Sequence, residues 1–341
     1  MKIRLFIFLF IVLTSFGLYK NKYLNYPSYF PYTVYKFENN ILDSNKIKLG
    51  RVLFYDPVFS SNNSVSCASC HSPYNAFSHT DHDLSHGIND QIGTRNAPAL
   101  FNLAWQKDFM WDGAINHLDM QALAPISNSK EMNENIKNVV FKISNKSLYK
   151  KLFFKSFGDS IISGERTLKA LAQFQLTLIS CNSKYDKVKM GFDKLNNKEK
   201  NGYDIFLKQC NSCHTEPLFS SYKFANNGLP IDTTLNDYGK GAITMKSEDS
   251  LLFKIPSLRN LGFSYPYMHD GRFKTLHQVI NHYNNGVIKH KTLSSELINF
   301  KTLRDNEVID LITFLHTLND STFIFNKKNK YPLEYLSEMK D

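Results

Sequence analysis

Apolar residues recur at helical spacing in two stretches far apart in the chain. In Glu165 to Ile179, the residues Leu168, Leu171, Phe174 and Leu178 return every three or four positions, the period at which side chains share one face of an α-helix. Val308, Leu311, Ile312 and Leu315 repeat the pattern, with Asp305 ahead of them as the expected N-cap. No long stretch alternates with period two, so a mainly helical protein is expected. Thr215 to Ser250 is polar, holds Gly228, Gly239 and Gly241, and reads as a long loop. A different apolar run opens the chain: Leu5 to Leu13, continued loosely to Leu18, behind Lys2 and Arg4. It is short for a membrane span, which needs roughly 20 apolar residues. Ser15 and Gly17 supply a small-x-small cleavage signal. Residues 1–20 therefore read as a signal peptide, with an uncleaved anchor as the rival, and either places the rest of the chain outside the cytoplasm, in the periplasm.

The remaining chain divides by composition. Residues 21–46, rich in Tyr, Asn and Pro, read as an arm or linker. A first unit spans 47–181 and a second spans 198–320, joined by a polar linker at 182–197. A charged, aromatic tail follows at 321–341. Hydrophobic residues make up 42% and charged residues 21% of the 341 positions, which excludes a disordered chain. Lys and Arg outnumber Asp and Glu by 41 to 31, a formal charge of +10. That balance could suit an anionic partner, but the basic residues are scattered and do not alternate with aromatics, which argues against nucleic acid.

Chemistry enters with the cysteines. Four of the five form two identical patterns, Cys67-Ala-Ser-Cys70-His71 and Cys210-Asn-Ser-Cys213-His214. C-x-x-C-H is the attachment signature of a c-type haem. Two thiols on one helical turn reach the two vinyl groups along one porphyrin edge, and the adjacent His lies under the ring as proximal iron ligand. Zinc sites use paired cysteines too, but a His directly after the second Cys at both places is unusual for them; a disulfide pair is the other alternative in an oxidising compartment. Two covalent haems c are expected, one per unit, from an old duplication. Cys181 ends an apolar helical stretch and reads as a small buried hydrophobe.

From about Lys48 to Leu318 the chain resembles the bacterial di-haem cytochrome c peroxidase family. The resemblance rests on Leu49-Gly-Arg-Val-Leu-Phe-Tyr-Asp-Pro57, Arg95-Asn-Ala-Pro98, Trp111-Asp-Gly113, Gln121 through Pro125, and Glu131-Met132. In the second unit it rests on Pro256-Ser-Leu-Arg-Asn260 and Tyr265-Pro-Tyr-Met-His-Asp-Gly271. It implies two cytochrome-c-like helical domains, peroxide chemistry at the N-terminal haem and electron entry through the C-terminal haem. On that template His71 and His214 are the proximal ligands, Glu131 is the distal acid/base, Gln121 orients peroxide, and Trp111 lies between the haems. Taken alone, Glu131 and Gln121 read as ordinary solvated residues and Trp111 as a core indole. Asn96, Ser264 and Pro266 match positions that give oxygens to a calcium ion between the domains, a hard-ligand site. The family usually has Thr at the place of Ser264, and a backbone oxygen serves from either.

Position 283 departs from the conventional peroxidases. Their second haem takes a distal Met at the register where this chain has Tyr283, after Thr275-Leu276. Tyr resembles the methylamine-utilisation (MauG-type) branch, in which a phenolate binds the iron. A thioether raises the haem potential, whereas an anionic phenolate favours oxidised iron. The competing reading makes Tyr283 a buried helix residue and gives the iron Met268 or another Met. Some family members also carry a releasable His on the loop after the first motif. His86 stands near that place, with His79 and His82 close by; the MauG-type branch has no such ligand, and His86 also reads as a surface loop residue.

The implied substrate is hydrogen peroxide. The implied electron source is a small cytochrome c or copper protein, or a protein side chain oxidised in the MauG manner. Many members of the family form dimers, so a homodimer is a further option. The rival function is a di-haem electron carrier without peroxide turnover, which would have no use for a distal acid/base.

Overall fold

A computed structural model describes residues 22–337; the segment read as signal peptide or anchor lies outside them. Among the described residues the chain is mainly helical, and its strands are limited to the antiparallel pair Phe224–Ala225 and Phe253–Lys254. No described helix is long and apolar enough to cross a membrane.

Each haem motif sits beside a crossing of two helices. In the first unit helix Ser44–Tyr55 packs on helix Gly164–Leu176. In the second, helix Asn197–Gln209 packs on helix Asp305–His316. Both crossings close on a glycine. A Cβ on Gly50 would stand 1.9 Å from the Ala170 carbonyl oxygen, and one on Gly202 would stand 2.0 Å from that of Asp310. The backbones thus approach more closely than any side chain permits, and this shared device is the structural face of the repeated motif.

Two apolar cores follow. Leu49, Leu53, Phe54, Phe77, Leu171 and Phe174 belong to the first; Phe206, Phe219, Leu311, Phe314 and Leu318 belong to the second. The segments flanking the units are less separate than their composition suggests. Leu24, Phe30 and Leu42 of the 21–46 stretch, and Phe323 and Ile324 of the tail, are buried in the first core. The polar 182–197 stretch contains helix Lys184–Lys189, whose Tyr185 packs in the second core. Asp186 beside it is buried too, in an ion pair with the fully buried Arg259. Tyr29 donates to the same carboxylate over 2.7 Å. The chain's exit from the first unit and its return are also joined: Asp320 accepts from the backbone N–H groups of Cys181 (3.0 Å) and Asn182 (2.8 Å).

Two local expectations change. Asp305 is the first helical residue and not the cap; the cap position is Arg304, whose backbone N–H is taken by Glu307. The Glu307 carboxylate, one turn in, reaches back to the Arg304 backbone donor instead. The first-unit helix stops at Leu176, so Cys181 lies beyond it, half-buried against the first core, with Sγ 3.5 Å from the Asn25 carbonyl oxygen.

Candidate functional site

Cys67–Cys70 forms a single helical turn capped reciprocally by Ser66 and Ser69. The backbone N–H of His71 closes the turn onto the Cys67 carbonyl at 2.9 Å. Ala76 and Phe77 then take φ values of 53° and 57°, a left-handed pair that L-residues adopt only when packing enforces it. The enforcing contact is the Phe77 ring, fully buried against Phe54, Phe174 and Phe323. The outcome is a carbonyl oxygen aimed at the His71 ring, 2.9 Å from Nδ1. The second site repeats this. Phe219 has φ of 54° and is fully buried; His214 Nδ1 lies 3.3 Å from its carbonyl oxygen and 3.1 Å from that of Pro256. A carbonyl can only accept, so Nδ1 carries the proton at both sites and Nε2 keeps a lone pair. Burial pushes both imidazoles down to about 4, so they stay neutral. Neutral, oriented imidazoles with a free Nε2 are what an iron ligand requires.

The cysteines form no disulfide, and burial pushes the Cys67 and Cys210 thiols up to about 12. No three His, Cys, Asp or Glu side chains gather into a metal-holding group among the described residues, which does not fit zinc at either motif.

A cavity of about 270 Å³ opens beside the second motif, lined by Cys210, Cys213, His214, Tyr283 and Met268, and on its first-unit side by Asn96 and Trp111. Two polar groups in its wall bear on what it could hold. The Tyr222 hydroxyl is buried with no hydrogen-bond partner among the described residues. Lys254 gives protons to the neutral oxygens of Gln106 (2.7 Å) and Asp108 (2.9 Å), and burial pushes its ammonium down to about 8. The charges of Asp108 and Asp112 oppose this only in part, and a buried ammonium favours a further anion. A c-type haem, with an apolar ring for the cavity, vinyls for the thiols and carboxylates for such donors, fits these residues. Neither Tyr222 nor Lys254 stood out in the sequence, where each reads as a solvated loop or strand residue.

Trp111 stands at the seam. Its indole N–H donates to the Asn96 carbonyl at 2.9 Å, and its own carbonyl accepts from Lys254 of the second unit at 2.7 Å. Asn96 is buried and donates through Nδ2 to the Asp83 carbonyl at 3.0 Å. Ser264 and Pro266 line the same cavity.

Tyr283 lies on a π-helical turn, His282–Gly286, that widens the end of helix Leu276–Asn281. Such turns commonly mark functional positions. Burial pushes its phenol up to about 12, while hydrogen bonding from Asn227 pulls it back.

On the first side, Glu131 is held by Asn128 Nδ2 at 2.7 Å. Burial raises its carboxyl above the usual range, the Asn128 contact opposing. Its backbone carbonyl accepts from Ile88 at 2.8 Å, and its charge reaches the Cys70 thiol, so it stands beside the first motif. Gln121, on the short helix Leu118–Gln121, contacts the Met110 sulfur at 3.8 Å, next to Trp111. His86 lies on the loop that packs against the Glu131 backbone through Gly87. Its ring stacks on His82 at 4.0 Å, and its Nδ1 is 2.8 Å from Asp90.

Comparison with known proteins gives consistent matches. A family model described as di-haem cytochrome c peroxidase matches residues 44–194. The methylamine utilization protein MauG of Methylophilus methylotrophus is 35% identical over 289 residues, covering 82% of this chain and 84% of that one. Cytochrome c551 peroxidase of Nitrosomonas europaea is 33% identical over 282 residues, covering 81% and 80%. The solved structure of a MauG-like protein associated with microbial copper homeostasis matches with a TM-score of 0.81 at 28% identity, covering 90% of this chain and 98% of that one.

Proposed function

Because the chain belongs to the di-haem cytochrome c peroxidase family and is a peroxide-using oxidoreductase, we propose that the site of His71 and Glu131 carries the peroxide reaction and that the site of His214 and Tyr283 feeds it electrons. The observation that supports this division is the asymmetry of two otherwise repeated sites. A carboxyl with a raised pKa stands beside the first motif, whereas a buried phenol shares the cavity of the second.

A bound haem supplies the iron that receives peroxide and the redox equivalents exchanged with it. The protein supplies the rest. His71 and His214 each present Nε2, fixed by a carbonyl on Nδ1. Glu131 takes a proton from one peroxide oxygen and returns it to the leaving oxygen, work suited to a carboxyl shifted toward neutral pH. Gln121 orients the peroxide. Reduction to two waters consumes two electrons and two protons, and Trp111, hydrogen-bonded to both units, is the proposed conduit for the electrons. Asn96, Ser264 and Pro266 are the proposed oxygen donors to a calcium ion that would hold the units in register.

Tyr283 as the second iron's distal ligand favours the MauG-type version, in which a protein side chain gives up the electrons; a small cytochrome c or copper protein would supply them otherwise. We propose a periplasmic location, supported by the basic and apolar N-terminal pattern.

The test is the optical spectrum of the ferric, haem-loaded protein before and after stoichiometric hydrogen peroxide, without reductant. An immediate spectral change supports an open first iron and the Tyr283 reading. Reaction only after one haem is reduced points instead to a peroxidase gated by a ligand such as His86. No reaction in either state leaves an electron carrier and overturns the assignment of Glu131.

A further inference from the structure

The cavity of His214 offers two side chains able to bind iron, the Tyr283 phenol and the Met268 thioether. Asn227 lines the same cavity and touches both arrangements. Its Nδ2 lies 3.4 Å from Met268 Sδ, and Tyr283 lines the cavity with it. Its backbone carbonyl lies 3.0 Å from Nε2 of His282, the residue before Tyr283. That carbonyl only accepts, so Nε2 of His282 donates to it and ties the π-helical turn to residue 227.

Asn227 is itself held firmly. The Ser294 backbone N–H donates to the Asn226 carbonyl at 3.1 Å, and that of Ile288 donates to the Gly228 carbonyl at 2.9 Å. Gly228 has φ of 71°, and a Cβ there would meet Val287 at 2.6 Å, so the loop cannot easily shift. A primary amide has two N–H donors. One of them, directed at the Met268 sulfur, acts against that candidate. A donor at the thioether occupies its lone pair, while the Asn227 carbonyl, through His282, holds the turn that presents Tyr283.

We propose that Asn227 is a positioning residue that selects the distal ligand of the second haem, keeping the Met268 sulfur engaged while supporting Tyr283 as the phenolate donor. The proposal rests on the reading of Tyr283 as ligand. Partners of a ligand commonly tune a metal as strongly as the ligand does. Asn227 thereby fixes whether this haem is anion-ligated and low in potential or thioether-ligated and high in potential.

The experiment compares ferric optical and near-infrared spectra, electron paramagnetic resonance and midpoint potentials of the haem-loaded protein and its variants. Tyr283→Phe tests the underlying reading and should lose the phenolate-to-iron absorption; if it does not, both the reading and the proposal fall. Asn227→Leu keeps the volume and removes the donor at the Met268 sulfur. It should weaken the phenolate absorption, bring in a thioether-to-iron absorption and raise the potential of the second haem. Adding Met268→Leu should remove the new absorption. Should Asn227→Leu fail to fold, Asn227→Ser retains a small polar side chain but shortens the donor, and it should shift the same signals in the same direction. Unchanged spectra and potential in the Asn227 variants, with Tyr283→Phe responsive, would overturn the role of Asn227 and leave Tyr283 as ligand.

Discussion

The Phe77 carbonyl oxygen stands 2.9 Å from His71 Nδ1 because the Phe77 ring is locked in the first core. Packing and ligand orientation are thereby the same contact. Phe77→Ala keeps the left-handed backbone requirement and removes the ring that enforces it. A buried Phe→Ala change costs about 3–5 kcal/mol. Urea unfolding of the haem-loaded variant should show this loss together with a disturbed first-haem spectrum and an intact second one. A stability loss with both spectra unaltered would mean that the carbonyl holds its place without the ring.

Glu131→Gln should abolish peroxide turnover while both haems stay attached. It also carries a pH signature. The Glu131 carboxyl is raised by burial, so the folded state favours its protonated form. Its contribution to stability is complete below the ordinary carboxyl range and is lost as pH rises through the shifted value. The uncharged Gln variant avoids this loss. Melting temperatures of the two proteins should converge in acid and separate toward neutral pH, with Glu131→Gln the more stable; a constant gap would mean that the carboxyl is well solvated.

Asp186→Asn leaves Arg259, fully buried, without its anion. Breaking such a pair costs about 3–5 kcal/mol. Burial pushes the Asp186 carboxyl up, but Arg259, with hydrogen bonds from Tyr29 and Ser183, more than reverses this and leaves it below the usual range. The pair's stabilisation is therefore present above the ordinary Asp value and lost as pH falls through the lowered one. Urea denaturation at neutral pH should show the full loss, and the difference from the parent should shrink only in strong acid.

Gly50→Ala and Gly202→Ala each insert a methyl where a backbone carbonyl already stands. Overpacking typically costs about 1–3 kcal/mol, and here the obstacle is main chain that cannot rotate away. Calorimetry should show a lowered melting temperature in both. Optical spectra followed during heating should show the first haem disturbed earlier in Gly50→Ala and the second earlier in Gly202→Ala. Wild-type melting in either would mean that the helices can separate freely.

The attachment turns and one helix of each pair were legible in the sequence because cysteine spacing and apolar periodicity are local; helices Ser44–Tyr55 and Asn197–Gln209 were not. Glu131, Gln121, Trp111 and Tyr283 carry no such signal and stood out through family resemblance alone. What orients the two imidazoles was hidden, since the acceptors are carbonyls of Phe77 and Phe219 and every residue has a carbonyl. Asp186 and Arg259 are far apart in the chain, and each reads as a surface charge until the fold closes around both. Polar composition likewise made 182–197 look like a tether, although Tyr185 within it belongs to the second core. The π-helical turn under Tyr283 has no sequence mark either; Asn284 and Gly286 would suit an ordinary helix end.

The Asp320 carboxylate binds the backbone where the chain departs for the second unit, and the residues just beyond it return to the first. Phe323 and Ile324 enter the first core, Tyr55 donates to the Asn329 carbonyl, and Arg51 donates to that of Lys330. The second unit is therefore an excursion with a pinned neck, and it cannot swing as a bead on a string would. Electron tunnelling falls steeply with distance, so a knot that carries no chemistry of its own fixes the gap that electrons must cross.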